Sequence, residues 1–277
     1  MNHLFFLPFD HRSGFTEGLL HESYPPNRAT EKRVKVLKEM VYKAFLSARA
    51  ASKNPGEFLL LIDEEFGDAI LHDAKRRRIG FAQTVEKSGQ DIFSFAYGNA
   101  FGRHLDLHKP TYAKVLVRYN VQEKKVNDLQ RQRLRRLSRF CKRRGLPLLF
   151  ELLVTGSGAK ERQMAKAMKE VLTAGIVPTV WKVEGFESIG AWRRIKKIVG
   201  HAHLVVLGRG GSAKEVERYL RTAAASGVVD GFAVGRTVFF APLHDYLTGH
   251  LSKQSAVERM AKAFTSLVNL FHKKNPL

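Results

Sequence analysis

Short runs of aliphatic and β-branched residues recur along the chain. Each is followed by a stretch in which apolar positions return every three or four residues. The apolar runs fall at 4–9, 58–63, 79–86, 112–118, 148–154, 179–184, 203–208 and 231–235. The helix-period stretches fall at 30–52, 65–77, 91–107, 127–144, 159–174, 189–199, 212–226 and 253–271. Each run is nearly continuously apolar, as a strand covered on both faces must be. Strands alternating with helices pair in parallel through right-handed crossovers. Eight such units in 277 residues predict an α/β fold, a (β/α)8 TIM barrel forming one domain over 1–277. An open doubly wound sheet more often carries a glycine fingerprint after its first strand, where this chain has Asp10-His11-Arg12. Pro25-Pro26, Asn54-Pro55-Gly56, Lys109-Pro110 and Gly145-Leu146-Pro147 punctuate the elements. Residues 16–29 are expected to form a long loop, and the basic tail 272–277 to fray.

A barrel concentrates its chemistry at the C-terminal ends of its strands. Three ionisable residues sit inside apolar runs on neighbouring predicted strands: Lys114 in Ala-Lys-Val-Leu-Val, Glu151 in Leu-Phe-Glu-Leu-Leu and Lys182 in Val-Trp-Lys-Val-Glu. One buried charge is costly, whereas a cluster of opposite signs is tolerated. A desolvated lysine gives up its proton more readily and can attack a carbonyl, and a second cation nearby favours the neutral amine. Lys182 is therefore the candidate Schiff-base nucleophile, Glu151 the proton shuttle and Lys114 the second catalytic lysine. Asp10, His11, Glu86, Lys87, Arg118 and Glu184 are the candidate substrate-binding residues. Glu184 lies two positions beyond Lys182, on the same strand face.

Gly208-Arg209-Gly210-Gly211-Ser212 follows the seventh run and opens a helix, with Ser212 as the expected N-cap. Glycines let backbone N–H groups approach an anion, and a helix N-terminus favours negative charge. With Gly235 and Arg236 after the eighth run, Gly208, Arg209, Gly210 and Gly211 form the candidate phosphate site. No metal or other cofactor is expected. His201 and His203 precede a strand, and His104 and His108, spaced i, i+4, lie near a helix end away from the predicted catalytic face.

Composition alters this picture at two points. The net charge of +21 admits nucleic acid, an anionic membrane or a phosphorylated substrate as partner. Ten Lys/Arg fall between Gln122 and Arg144, and Lys75-Arg76-Arg77-Arg78 forms a second cluster. Both read as outer helix faces, with no helix-turn-helix or aromatic platform beside them, so nucleic acid is not the expected partner. The single cysteine, Cys141, excludes an internal disulfide and suits a reducing cytoplasm. The opening run is too short for a signal peptide, and no run approaches membrane-spanning length.

At these residues the chain resembles a known family. Phe9-Asp10-His11-Arg12, Asp63-Glu64-Glu65-Phe66-Gly67, Val85-Glu86-Lys87-Ser88-Gly89, Lys114 through Asn120, Phe150-Glu151-Leu152-Leu153, Trp181-Lys182-Val183-Glu184-Gly185, Leu207-Gly208-Arg209-Gly210 and Phe232 through Thr237 are similar to the 5-dehydro-2-deoxyphosphogluconate aldolase domain of inositol catabolism. That domain often follows a sugar kinase and is distantly similar to class I tagatose 1,6-bisphosphate aldolases. The resemblance implies a metal-independent lyase with Lys182 as its Schiff-base residue, Glu151 for proton transfer and Asp10 near substrate hydroxyls. It implies cleavage of 2-deoxy-5-keto-D-gluconate 6-phosphate to dihydroxyacetone phosphate and malonate semialdehyde by a cytoplasmic homo-oligomer. Other expectations are an aldolase for another ketose phosphate, or a basic barrel that has lost catalysis and binds RNA or a protein.

Overall fold

The computed structural model describes residues 3–273. Eight parallel strands close into a barrel in sequence order, β1 (Leu4–Pro8), β2 (Phe58–Ile62), β3 (Phe81–Thr84), β4 (Tyr112–Tyr119), β5 (Leu148–Val154), β6 (Val180–Glu184), β7 (His203–Leu207) and β8 (Gly231–Ala233). Pairing of β8 with β1 completes the ring. The helices are α1 (Ser13–Leu19), α2 (Arg28–Ala50), α3 (Asp68–Arg76), α4 (Phe101–His108), α5 (Lys124–Arg144), α6 (Lys160–Thr173), α7 (Ile189–Val199), α8 (Ala213–Ser226), α9 (Arg236–Leu247) and α10 (Lys253–His272). The architecture is the predicted (β/α)8 barrel, a single domain.

Side chains alternate between two cores along every strand. Outward-facing residues such as Phe5, Leu60, Val115, Phe150, Trp181 and Phe232 pack against the helices. Inward-facing Phe6, Leu59, Leu61, Ala82, Leu149, Val180, Val205 and Ala233 fill the barrel interior. Lys114, Glu151 and Lys182 share the inward parity and stand two residues further along their strands than Tyr112, Leu149 and Val180. The apolar plug is thus the floor on which the charged layer rests.

Three boundaries differ from the sequence expectations. The predicted helix 91–107 shortens to α4, because residues 85–96 pair with each other instead. Glu86 bridges Phe95 in antiparallel fashion, and Lys87 N–H donates to Ser94 O at 2.9 Å. Phe93 and Phe95 are buried in the process. The expected loop 16–29 begins inside α1. An unforeseen helix, α9, follows β8; Pro242 in its middle reads as a breaker, yet belongs to its buried face with Val238, Phe239 and Leu243. The C-terminal helix continues to His272, and residues 274–277 of the expected frayed tail lie outside the described residues.

Candidate active site

At the C-terminal mouth, register sets Glu151 on β5 directly beside Lys182 on β6. Glu151 Oε2 stands 3.0 Å from Lys182 Nζ and 3.0 Å from Lys114 Nζ, so one carboxylate oxygen bridges both lysines. Lys114 also donates to Asp10 Oδ2 at 2.7 Å and to Glu86 Oε1 at 2.5 Å. Asp10 arrives on the turn after β1, and Glu86 on the paired segment after β3. Arg12, buried behind them, donates to the Glu86 carbonyl at 2.6 Å and ties these two loops together. Lys114 is 1% exposed and Lys182 4%.

The electrostatics follow from this packing. Burial works against the charge on Lys114, but Asp10, Glu151 and Glu86 outweigh it and hold its pKa well above the ordinary lysine value. Lys114 is therefore a fixed cation. Burial works against the charge on Asp10 as well, and Lys114, His11 and Lys182 overcome it, leaving its pKa below the ordinary carboxylate range. Glu151 is held below that range in the same way, by Lys114 and Lys182 against burial. His11 moves in the opposite direction to a salt-bridged histidine. Burial and the charge of Lys182 push it down, against the pull of Asp10. Its side chain keeps 35% exposure at the mouth, so water moderates the shift; its direction alone makes the imidazole neutral at pH 7.

The cavity has two lobes. One, about 280 Å³, is lined by Asp10, His11, Glu86, Lys87, Lys114, Arg118, Glu151, Lys182 and Arg236. The other, about 330 Å³, shares His11, Arg118, Glu151, Lys182 and Arg236 with it, and extends over Gly208, Arg209, Gly210, Gly235 and Thr237. Two predicted site residues are not on its wall. Glu184 is buried at the barrel rim, where its carboxylate pairs with Arg209, stands 3.3 Å from Lys160 Nζ and accepts from the Val154 N–H at 3.3 Å. Parity put it on the inward face, but β6 ends there and the side chain turns to the neighbouring loops. Gly211 lies behind the turn, its N–H donating to Gly208 O at 2.9 Å.

The glycine-rich turn bends sharply at the cavity edge. Arg209 (φ +47°) and Gly210 (φ +71°) are both left-handed. Ser212 caps α8 in a reciprocal box with Glu215, as its position in the sequence suggests. Arg236 opens α9 opposite this turn, and its guanidinium reaches toward Gly210 in the same lobe. Helix α9 was not expected, and Thr237, which it carries into the wall, was not among the expected site residues. Ser88, Gly89, Gln90 and Phe93 were also missed, because they enter the wall through the paired segment after β3.

Fold and cavity together define a (β/α)8 barrel with a buried lysine–carboxylate cluster at the C-terminal ends of its strands. The chain belongs to the family described as "Uncharacterized protein conserved in bacteria (DUF2090)", whose model matches residues 1–275. No curated protein matches it in sequence. Among solved structures, its fold is similar to that of a Schiff base forming fructose-1,6-bisphosphate aldolase, at TM-score 0.61 and 15% identity over 97% of this chain and 94% of that one. An archaeal fructose 1,6-bisphosphate aldolase is similar at TM-score 0.59 and 13% identity, covering 96% and 94% of the two chains. A third, an archaeal enzyme with its catalytic Lys covalently bound to the carbinolamine intermediate of the substrate, gives TM-score 0.59 and 14% identity, covering 95% and 94%.

Proposed function

We propose that this protein is a class I aldolase that cleaves a phosphorylated ketose through a Schiff base on Lys182. The observation that carries the reading is the single Glu151 oxygen 3.0 Å from both Lys182 Nζ and Lys114 Nζ. It gives the nucleophile a proton acceptor, and it gives that acceptor a permanent counter-cation. The similarity in fold to Schiff-base aldolases supports the same chemistry.

Lys182 attacks the substrate ketone, and loss of water leaves an iminium. The hydroxyl on the carbon β to the imine carbon loses its proton to Glu151, directly or through water. Its O–H electron pair becomes a carbonyl, and the adjacent C–C bond breaks into the iminium, leaving an enamine. The aldehyde fragment departs, the enamine carbon takes a proton, and water hydrolyses the imine to free the ketone product and Lys182. Glu86 Oε2, buried with no hydrogen-bond partner among the described residues, is positioned to accept from a substrate hydroxyl. Asp10, His11, Lys87 and Arg118 line the same lobe and complete the substrate contacts. Arg236, with Arg209 and the turn at Gly208 and Gly210, anchors the phosphate.

The particular reaction we assign is cleavage of 2-deoxy-5-keto-D-gluconate 6-phosphate between C3 and C4, yielding malonate semialdehyde and dihydroxyacetone phosphate. The test is a panel of ketose phosphates assayed for dihydroxyacetone phosphate release. The deoxyketogluconate phosphate should give the highest kcat/KM, and Arg236→Gln should raise KM about tenfold or more, the loss of one charge-assisted contact. A higher kcat/KM for fructose or tagatose 1,6-bisphosphate would reassign the substrate. Absence of cleavage across the panel would contradict the reading.

A further inference from the structure

The histidine pair set aside in the sequence meets a matching set of ligands. Glu64, Asp68 and His72 are spaced i, i+4, i+8 from the end of β2 into α3. His104 and His108, spaced i, i+4, lie on α4 against them. None of the five lines the cavity described above. Asp68, His72 and His108 each bring one ligand atom into a group whose members all lie within 4.8 Å of one another. Asp68 Oδ1 stands 3.6 Å from His72 Nε2 and 3.5 Å from His108 Nε2. Glu64 Oε1 is 3.5 Å from His108 Nε2 and is hydrogen-bonded to His104 Nδ1 at 2.7 Å.

Two features separate this group from an ordinary surface cluster. His108 is 1% exposed, yet neither of its ring nitrogens makes a hydrogen bond among the described residues. A buried imidazole without a partner is costly, and a cation between His108, Asp68 and His72 would satisfy it. The spacings also fit an ion. Donors about 2.0–2.1 Å from a tetrahedral metal stand about 3.3–3.4 Å apart, close to the 3.5 and 3.6 Å from Asp68 Oδ1 to the two imidazoles, which is long for a hydrogen bond. Two imidazoles and a carboxylate suit a divalent first-row ion of the zinc type.

We infer that α3 and α4 carry a binding site for a zinc-type divalent ion, with Asp68 Oδ1, His72 Nε2 and His108 Nε2 as ligands. Water takes the fourth position. Glu64, itself held by His104 and by Gln83 Nε2 at 3.1 Å, adds negative charge beside His108. The ion would clamp the start of α3 to the end of α4 on the flank of the barrel, apart from the lysine cluster. The inference does not depend on the aldolase reading.

Zinc chloride titrated calorimetrically into chelator-stripped protein tests it, with the melting temperature read alongside. The wild type should bind one equivalent per chain and melt higher with zinc than without. His72→Ala and Asp68→Asn alter half-exposed side chains and should leave the metal-free melting temperature unchanged. Each should weaken zinc binding about 100-fold or more, beyond what loss of a supporting contact costs. His3→Ala, in a separate His3, Glu57 and His272 group, should bind zinc as the wild type does. No saturable binding by the wild type would overturn the inference. So would wild-type affinity in His72→Ala and Asp68→Asn, or loss of binding in His3→Ala alone.

Discussion

At the scale of single residues, the centre of the site is Lys114, a buried cation among carboxylates. Lys114 holds three carboxylates, from the turn after β1, the segment after β3 and β5 itself, around one buried cation. Removing it should therefore damage the fold as well as the chemistry. Lys114→Met leaves Asp10, Glu86 and Glu151 crowded without their shared counter-cation, and should cost about 3–5 kcal/mol in urea unfolding. Loss of catalysis with unchanged stability would mean that Lys114 is not the electrostatic anchor. Lys114, Glu151 and Lys182 were legible in the sequence because each interrupts an apolar run. Their partners were less so. Asp10 and Glu86 could be placed at strand ends, but their convergence on Lys114 depends on two loops joined through Arg12. Glu184 shows the opposite failure, since strand parity says nothing about where a side chain turns once its strand has ended.

At the scale of elements, the barrel was legible because buried parallel strands and amphipathic helices have distinct periods. The irregular pieces were not. The expected helix from 91 does not start there, because the backbone of 85–96 pairs locally and Phe93 and Phe95 are buried. The start of α9 makes a sharper test of how the site is built. At Gly235 an added Cβ would lie 1.8 Å from the Pro8 carbonyl oxygen, so β1 and the start of α9 can approach only across a glycine. Gly235→Ala should force these elements apart. It should destabilise the protein by about 3 kcal/mol or more, read by thermal or urea unfolding. It should also weaken phosphate binding by displacing Arg236. A neutral substitution would show that this junction is looser than the packing requires.

At the scale of the whole molecule, several of the basic side chains on α5 are engaged by the fold. On α5, Arg131 pairs with Asp128 and Glu170, Arg136 with Asn99 and Arg144 with Asp106. Arg133 and Arg135 donate to the carbonyls of Phe93 and Ala174. No helix among the described residues is long and apolar enough to cross a membrane. The buried charges also set how stability depends on pH. His11 is depressed in the folded state, so the unfolded chain takes up its proton first, and stability should begin to fall below about pH 6.5. Asp10 and Glu151 are depressed as well. Their contribution is complete above the ordinary carboxylate value and should be lost below about pH 4. Lys114 is raised, so its contribution is complete below the ordinary lysine value and is lost as pH climbs from there through its own, more alkaline, pKa. The urea midpoint should therefore fall on the acid side of about pH 6.5. A midpoint that rises on acidification would contradict this charge arrangement.

The claim on which the function rests is the covalent role of Lys182. Borohydride added during turnover of the deoxyketogluconate phosphate, or with dihydroxyacetone phosphate alone, should reduce the imine. The chain should gain one stable adduct, and peptide mass mapping should locate it at Lys182. Lys182→Met should give no adduct and no cleavage. An adduct on another lysine, or full aldol cleavage by Lys182→Met, would contradict the account.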